Sequence, residues 1–233
     1  MRENNVTPKH IVLFPDGNRR WAKEQGLPTL EGHSKGRENF TSFMKWSKDR
    51  GVEIITVFGF STENWNRSEE EVAYLMNLFE VHLGSEEQIS KYMEEGVRVH
   101  IIGDRSRLSK SLLEAIDKVE EATKDNTEFT MNLAVSYGGR WDITNAVKEI
   151  VEEGTPADEI TEDTITSHLS MSELPEPDLI IRAGGEKRLS NFVLWQGAYS
   201  ELYFSPKYWP DFSEKDLEEA LEEYARRQRR YGK

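Results

Sequence analysis

Cysteine is absent from the 233-residue sequence. That removes disulfides, thiolate zinc sites and cysteine nucleophiles together. A basic surplus is also missing: formal net charge is −13 at pH 7, so no positive field would draw a polyanion, and nucleic acid is excluded as a general partner. That conclusion concerns the average, and a local arginine cluster can still hold a small anion. No apolar run approaches the ~20 residues of a membrane span, and residues 1–9 are polar with no signal-peptide core. The histidines His10, His33, His82, His100 and His168 never fall at His-x-x-x-His spacing, which excludes a zincin-type site. What is left is a chain long enough to bury a real core. We expect a single cytoplasmic domain over residues 1–233, with 1–9 as a flexible N-terminus.

Six short, β-branched-rich runs predict strands at His10–Phe14, Glu53–Phe60, Val97–Ile102, Phe129–Val135, Leu179–Ile181 and Glu201–Phe204. Several are apolar almost throughout, as expected of strands covered on both faces. Helical stripes lie between them. Val72, Leu75, Met76, Phe79 and Leu83 form one, with Ser68 and Glu71 as a capping box at its start. Ile143, Ala146, Val147, Ile150 and Val151 form another, with Asp142 placed to cap it. Leu112, Ile116 and Val119 mark a third, and Leu217, Leu221 and Tyr224 a last one. Gly154–Glu159 and Leu174–Pro177 read as loops. Strand–helix alternation without repeats or linkers predicts an α/β fold with a six-stranded, mostly parallel sheet flanked by helices.

In open α/β sheets, ligands bind beyond the carboxyl ends of the strands. Each of the first five predicted strands is followed there by a loop containing arginine: Asp16–Arg20, Ser61–Arg67, Gly103–Arg105, Ser136–Arg140 and Arg182–Ser190. Glycines, hydroxyls and amides accompany the arginines. Guanidinium forks match phosphate oxygens, and glycine lets backbone N–H groups approach an anion. Any one such loop is commonplace, and Trp21 and Trp65 are by themselves more often packing residues. Five together imply two phosphate or diphosphate groups. A divalent cation is then expected, with Asp16 and Glu201 as candidate ligands.

The segments "DGNRRWA", "GHSKG", "FSTENWNRSEEEV", "IIGDRSRL", "YGGRWDI", "PDLIIRAGGEKRLSNFVLWQ", "YSELYFSP", "WPDF" and "RRQRRYG" occur in this order between His10 and Gly232. In these the chain resembles the cis-prenyltransferases, the undecaprenyl diphosphate synthase family. The resemblance implies an apolar tunnel beside the sheet and the condensation of isopentenyl diphosphate onto an allylic diphosphate primer, farnesyl diphosphate by expectation, with Mg2+. Asp16 would bind the metal on the primer diphosphate, and Glu201 would supply a second carboxylate. Gly17, Asn18, Arg19, Arg20 and His33 would hold that diphosphate, with Trp21 beside it. Ser61, Thr62, Glu63, Asn64, Trp65 and Arg67 would line the reaction centre. A catalytic role in proton removal is sometimes given to the Asn64 amide, although a neutral amide is a poor base. Arg182, Arg188, Leu189 and Ser190 would take the diphosphate of isopentenyl diphosphate.

By periodicity the stripe from Val72 to Leu83 reads as core. The resemblance makes Leu75, Leu78 and Phe79 tunnel residues together with Gly59. It also implies a homodimer in which the tail 226–233, through Arg230 and Gly232, reaches the neighbouring site. An apolar product further implies transient peripheral contact with a membrane. Thr29 stands where the family usually has an arginine, and Gly59 where alanine is common. Both departures favour, as an alternative, a short-chain or irregular-coupling relative. A non-catalytic partner subunit is a weaker alternative, because such subunits tend to lose the "DGN" segment and Asp16, Asn18, Arg20 and Glu201 are all present.

Overall fold

The computed structural model describes residues 7–227. Among these, the strands are β1 (His10–Phe14), β2 (Ile54–Ser61), β3 (Val97–Ile102), β4 (Phe129–Tyr137), β5 (Leu179–Arg182) and β6 (Glu201–Phe204). They form one sheet in the order β3-β4-β2-β1-β5-β6, and every pairing is parallel. The expected single-domain α/β architecture is therefore present, with no antiparallel strand in the sheet.

Both faces of the inner strands β1, β2 and β5 are largely buried, which is why these strands are apolar almost without alternation, whereas the edge strand β3 alternates and exposes Arg98. Along β1, Ile11 and Leu13 enter the larger core cluster, whereas Val12 and Phe14 enter a smaller one on the opposite face. On β5, Leu179 and Ile181 join the larger cluster and Ile180 the smaller. A polar layer crosses the sheet interior: His10 Nε2 lies 2.7 Å from Thr56 Oγ1, and Asn132 Nδ2 donates to that same oxygen at 3.2 Å.

The helices are α1 (Asn18–Glu24), α2 (Thr29–Asp49), α3 (Glu69–Gly84), α4 (Glu86–Glu94), α5 (Lys110–Thr123), α6 (Gly139–Glu152), α7 (Glu162–Ser167) and α8 (Glu214–Arg226). The predicted stripes fall on α3, α5, α6 and α8. Leu112, Ile116, Val119 and Leu217 are fully buried. The longest helix, α2, has no counterpart in the periodicity reading. It is polar over most of its length, and its apolar side is broken by Gly32 and Gly36. A Cβ at Gly32 would lie 2.2 Å from the Asn18 carbonyl oxygen, and one at Gly36 would lie 2.4 Å from Asn18 Oδ1. Those glycines let α2 press against α1, the helix that carries the first arginine loop.

Two capping expectations are corrected. Ser68 accepts from the Glu71 N–H at 3.3 Å, but the Glu71 side chain does not return to the cap; it turns to His33 and Arg67 instead. Asp142 does not cap α6, whose N-cap is Gly138. It is buried and accepts from Tyr137 Oη (2.7 Å), Gln196 Nε2 (2.9 Å), Ser170 N (3.0 Å) and Ser170 Oγ (2.6 Å). The α6 stripe is also narrower than expected: Ala146 and Ile150 are buried, whereas Val147 and Val151 are 44% and 66% exposed. At the N-terminus, Pro8 is buried and the Lys9 N–H donates to Asp178 Oδ2 at 2.7 Å, so residues 8 and 9 are pinned to the fold.

Candidate active site

β1 and β5 lie side by side, with Phe14 in register with Arg182, so their ends deliver Asp16 and Arg182 to one place. Arg182 Nη2 donates to Asp16 Oδ2 at 2.8 Å, and Nη1 donates to Ser190 Oγ at 2.8 Å and to the Arg188 carbonyl. Its head lies 5.1 Å from the Phe14 ring centroid and its side chain is 5% exposed. Arg20, one turn into α1, donates to Asp16 Oδ1 at 3.2 Å and to Glu186 Oε1 at 3.1 Å. Glu186 also pairs with the exposed Arg188. Gly184, at φ 90°, completes the turn; a Cβ there would sit 2.8 Å from Arg20 Nη2. A side chain at that position would displace the arginine.

A second cluster of charged and titratable groups is centred on Glu71, 6% exposed at the start of α3. Its Oε1 is 3.0 Å from both His33 Nε2 and Arg67 Nη1, and Oε2 is 3.7 Å from Arg19 Nη1. Burial lowers the His33 pKa, and this outweighs the opposing pull of the Glu71 carboxylate. Around these groups lies an open basin of about 820 Å³, lined by Asp16, Gly17, Asn18, Arg19, Arg20, Lys23, Thr29, His33 and Arg67 among others. Pro15, Asn18 and His33 also border a second, narrower cleft of about 120 Å³. Gly59, Leu75, Leu78 and Phe79 line that cleft, with Val57, Met131 and Leu133. A polar basin and a largely apolar cleft between α2, α3 and the sheet thus adjoin at Pro15, Asn18 and His33.

The remaining expected residues fall elsewhere. Ser61 and Asn64 cap one turn reciprocally: Ser61 N donates to Asn64 Oδ1 at 3.1 Å, and Asn64 N to Ser61 Oγ at 3.2 Å. The Asn64 amide oxygen is thereby engaged in holding its own turn. Glu63 accepts from Asn191 Nδ2 at 2.8 Å. Burial works against its charge, but hydrogen bonds, led by that of Asn191, hold its pKa below the usual carboxylate value. Trp65 donates to Ser136 Oγ at 2.9 Å, packs on Phe60 and carries Arg107 over its ring at 4.2 Å. Trp21 donates to Asp211 Oδ1 at 2.9 Å. Residues Ser61 to Trp65 line neither the basin nor the cleft. Leu189 packs with the smaller core cluster behind Arg182.

Glu201 opens β6, in register with Leu179, three residues back from Arg182 and so about 10 Å from the strand ends. It accepts from Arg227 Nη1 at 2.8 Å. One chain therefore does not bring Glu201 to Asp16, and no group of three potential metal ligands occurs among the described residues. Arg230 and Gly232 lie outside the described residues. Sequence reading missed Glu71 as a site residue, although its i,i+4 spacing from Arg67 was visible. It also missed Lys23 in the basin and Arg37 and His82 in the cleft. Arg37 follows His33 at i+4, a relation that means something only once α2 is recognised as a helix.

Arginine-rich turns at the carboxyl ends of a parallel sheet, opening into an apolar cleft, define an α/β protein suited to amphiphilic phosphate esters. Residues 14–232 match the family described as "Putative undecaprenyl diphosphate synthase". The chain is 46% identical over 231 residues to an isoprenyl transferase of Neisseria meningitidis serogroup B, covering 99% of this chain and 92% of that one. It is 47% identical over 229 residues to a Vibrio vulnificus enzyme named ditrans,polycis-undecaprenyl-diphosphate synthase ((2E,6E)-farnesyl-diphosphate specific), covering 97% and 90%. Among solved structures, lavandulyl diphosphate synthase from Lavandula x intermedia, in complex with dimethylallyl diphosphate, superposes with a TM-score of 0.93 at 39% identity, covering 99% of this chain and all of that one. A probable undecaprenyl diphosphate synthase from Campylobacter jejuni gives 0.82 at 33%, covering 98% and 100%. The chain belongs to the undecaprenyl diphosphate synthase family and is a prenyltransferase of the cis type.

Proposed function

We propose that this enzyme condenses isopentenyl diphosphate onto a short allylic diphosphate, with Mg2+, to give a cis-prenyl diphosphate. The observation that carries this reading is that basin and cleft adjoin at Pro15, Asn18 and His33: a charged head and an apolar tail of one molecule would lie across that seam. In the reaction the allylic C–O bond breaks and a C–C bond forms to the terminal alkene carbon of isopentenyl diphosphate. The diphosphate departs, the charge passes to the tertiary carbon of the former alkene, and a proton leaves the methylene beside that carbon.

The residues present fit a magnesium diphosphate. Mg2+ is commonly held by one or two carboxylates, the rest of its shell being water and phosphate oxygens. Asp16, 33% exposed on the basin wall, offers such a carboxylate among guanidinium groups that match the diphosphate. When bound, the ion neutralises charge building on the departing diphosphate. In this reading Arg19, Arg20, Asn18 and His33 would hold the primer head, and Arg182, Arg188 and Ser190 the head of isopentenyl diphosphate. Positioned cations stabilise the leaving group, and the cleft walls keep water from the allylic carbon.

Farnesyl diphosphate is the expected primer, supported by the name of the Vibrio relative. The likeness to a synthase crystallised with dimethylallyl diphosphate supports testing that five-carbon primer beside it. Association as a homodimer is part of the reading: it would let Glu201 or the tail 226–233 of one copy serve the other, and the exposed Val147 and Val151 on α6 support a covered face there. The test is incorporation of labelled isopentenyl diphosphate with each primer. Incorporation that needs Mg2+ and stops with EDTA is the expected result. No incorporation with any primer, by folded protein, overturns the reading.

A further inference from the structure

We infer that Arg37 and His82, backed by Tyr92, form a polar floor that closes the apolar cleft and ends chain growth at about four isoprenoid units. The inference deepens the condensation reading above and rests on it.

The cleft narrows from a defined mouth. Glu71, at the start of α3, binds His33, Arg67 and Arg19, all of which line the basin. Below it, Leu75, then Leu78 and Phe79, then His82 face the cleft on successive turns of the same helix. Eleven residues separate Glu71 from His82, and at 1.5 Å per residue that sets a depth of about 16 Å. An isoprenoid unit adds four atoms to the backbone of the chain. By the bond lengths that give a peptide residue about 3.5 Å of reach, each unit spans roughly 4–5 Å. Three to four units fill that depth. The cleft volume of about 120 Å³ takes about one five-carbon unit, since a cavity of ~150 Å³ holds one benzene, so the earlier units lie towards the mouth and the basin.

The floor itself is unlike the walls. Leu75, Leu78, Phe79, Leu83, Met131 and Leu133 are hydrocarbon, but Arg37, His82 and Tyr92 share the same cavity. His82 Nε2 is 3.1 Å from Tyr92 Oη, and the rings meet edge to face at 6.3 Å. Tyr92 is 1% exposed. Burial first, and then the charge of Arg37, lower the His82 pKa to about 4, so the imidazole is neutral at physiological pH. Arg37 reaches the floor from α2, one turn beyond His33, and its buried Nε has no hydrogen-bond partner among the described residues. A guanidinium there resists further loss of water, so a growing hydrocarbon tail gains nothing by displacing its solvent. Gly59 adds width above the floor without adding depth.

The experiment compares products of the wild-type enzyme, Arg37→Ala/His82→Ala, Arg37→Met and His82→Ala. Each is supplied with labelled isopentenyl diphosphate, Mg2+ and either farnesyl or dimethylallyl diphosphate. Products are dephosphorylated and resolved by chain length, and each variant is checked by thermal melting. The double variant vacates about eleven heavy atoms, the size of two five-carbon units. Wild-type products at or below about four units, with the double variant about two units longer, support the floor. If the double variant fails to fold, lengthening by either single variant supports it and unchanged lengths in both overturn it. Wild-type chains well beyond that limit, or an unchanged distribution from folded double variant, overturn the floor and leave the condensation reading standing. Absence of incorporation by wild-type enzyme with every primer overturns the condensation reading and the floor with it.

Discussion

Arg182 Nη2 and Asp16 Oδ2 meet at 2.8 Å across the neighbouring ends of β5 and β1. Arg182 is nearly buried, and Asp16 is the only carboxylate seen to pair with it among the described residues. Asp16→Asn keeps an acceptor oxygen for the guanidinium but removes the charge a metal needs. We expect activity to fall by about two to three orders of magnitude while thermal stability stays close to wild type. Asp16→Ala should lose as much activity and also destabilise the fold by about 3 kcal/mol, because a buried cation loses its partner. Isopentenyl diphosphate incorporation and urea unfolding measure the two effects; near-normal turnover in the Asn variant would remove Asp16 from the chemistry.

Glu71 is a positioning residue, since it holds His33, Arg67 and Arg19 without lining the basin itself. Glu71→Ala should raise the KM for the allylic diphosphate about tenfold, equivalent to about 1.4 kcal/mol, with a smaller change in kcat. It should also cost about 2–4 kcal/mol in stability. Glu71→Gln retains the hydrogen-bond acceptor and should recover most of the stability. An Ala variant with unaltered KM would show that the cluster is structural only.

His10 is fully buried, with Nδ1 donating to the Pro175 carbonyl at 2.7 Å and Nε2 accepting from Thr56. Burial lowers its pKa to about 4 from 6.5. The folded state thus resists a proton that the unfolded state accepts. The associated stability is fully present above pH 6.5 and is lost as pH falls towards 4, up to about 3 kcal/mol. His82, also lowered to about 4, adds a loss of the same sign. Urea unfolding at several pH values between 7 and 4 should show this slope, and His10→Gln should flatten it. Parallel slopes in the two proteins would reject the assignment.

Gly59 lies where β2 shifts register against β4, between Phe58 and Phe60. A Cβ there would come within 2.7 Å of Leu133 Cδ1, 3.2 Å of the Ala134 carbonyl oxygen and 3.3 Å of Phe79 Cε1. Gly59→Leu should therefore push Leu133 and Phe79 into the cleft, shorten the product and cost about 1–3 kcal/mol. Product chromatography and thermal melting together test this; unchanged lengths in folded protein would place Gly59 off the path of the chain.

Much of this arrangement is legible in residues that act locally. The strands announce themselves by β-branched runs, and the arginine turns follow from the rule that strand ends carry ligands. Asp16, Arg20, Arg182 and Ser190 fall together as that rule expects. Polar helix α2 is invisible because Gly32 and Gly36 serve tertiary approach to α1, which no helical pattern encodes. With α2 hidden, Arg37 could not be placed beneath His33. Asp142 looked like a cap because acids favour helix starts, yet Tyr137, Ser170 and Gln196 claim its oxygens, the last two from distant segments. Glu201 looked like a metal ligand beside Asp16, but strand register sets it at the far end of β6. Partners across the sheet, not neighbours in sequence, decide those cases.

The central place of β1 has a temporal consequence. It pairs with β2 nearby, but its other edge waits for β5, with Ile11 against Leu179. At 5–20 residues per second, a ribosome needs on the order of ten to thirty seconds to deliver Arg182 after Asp16. Parallel pairing across such a span is also slow to close. The cluster of Asp16, Arg20 and Arg182 is consequently among the last features to form, and a nascent chain holds Asp16 and Arg20 without their third partner. On refolding from urea, helical circular dichroism should return before activity does.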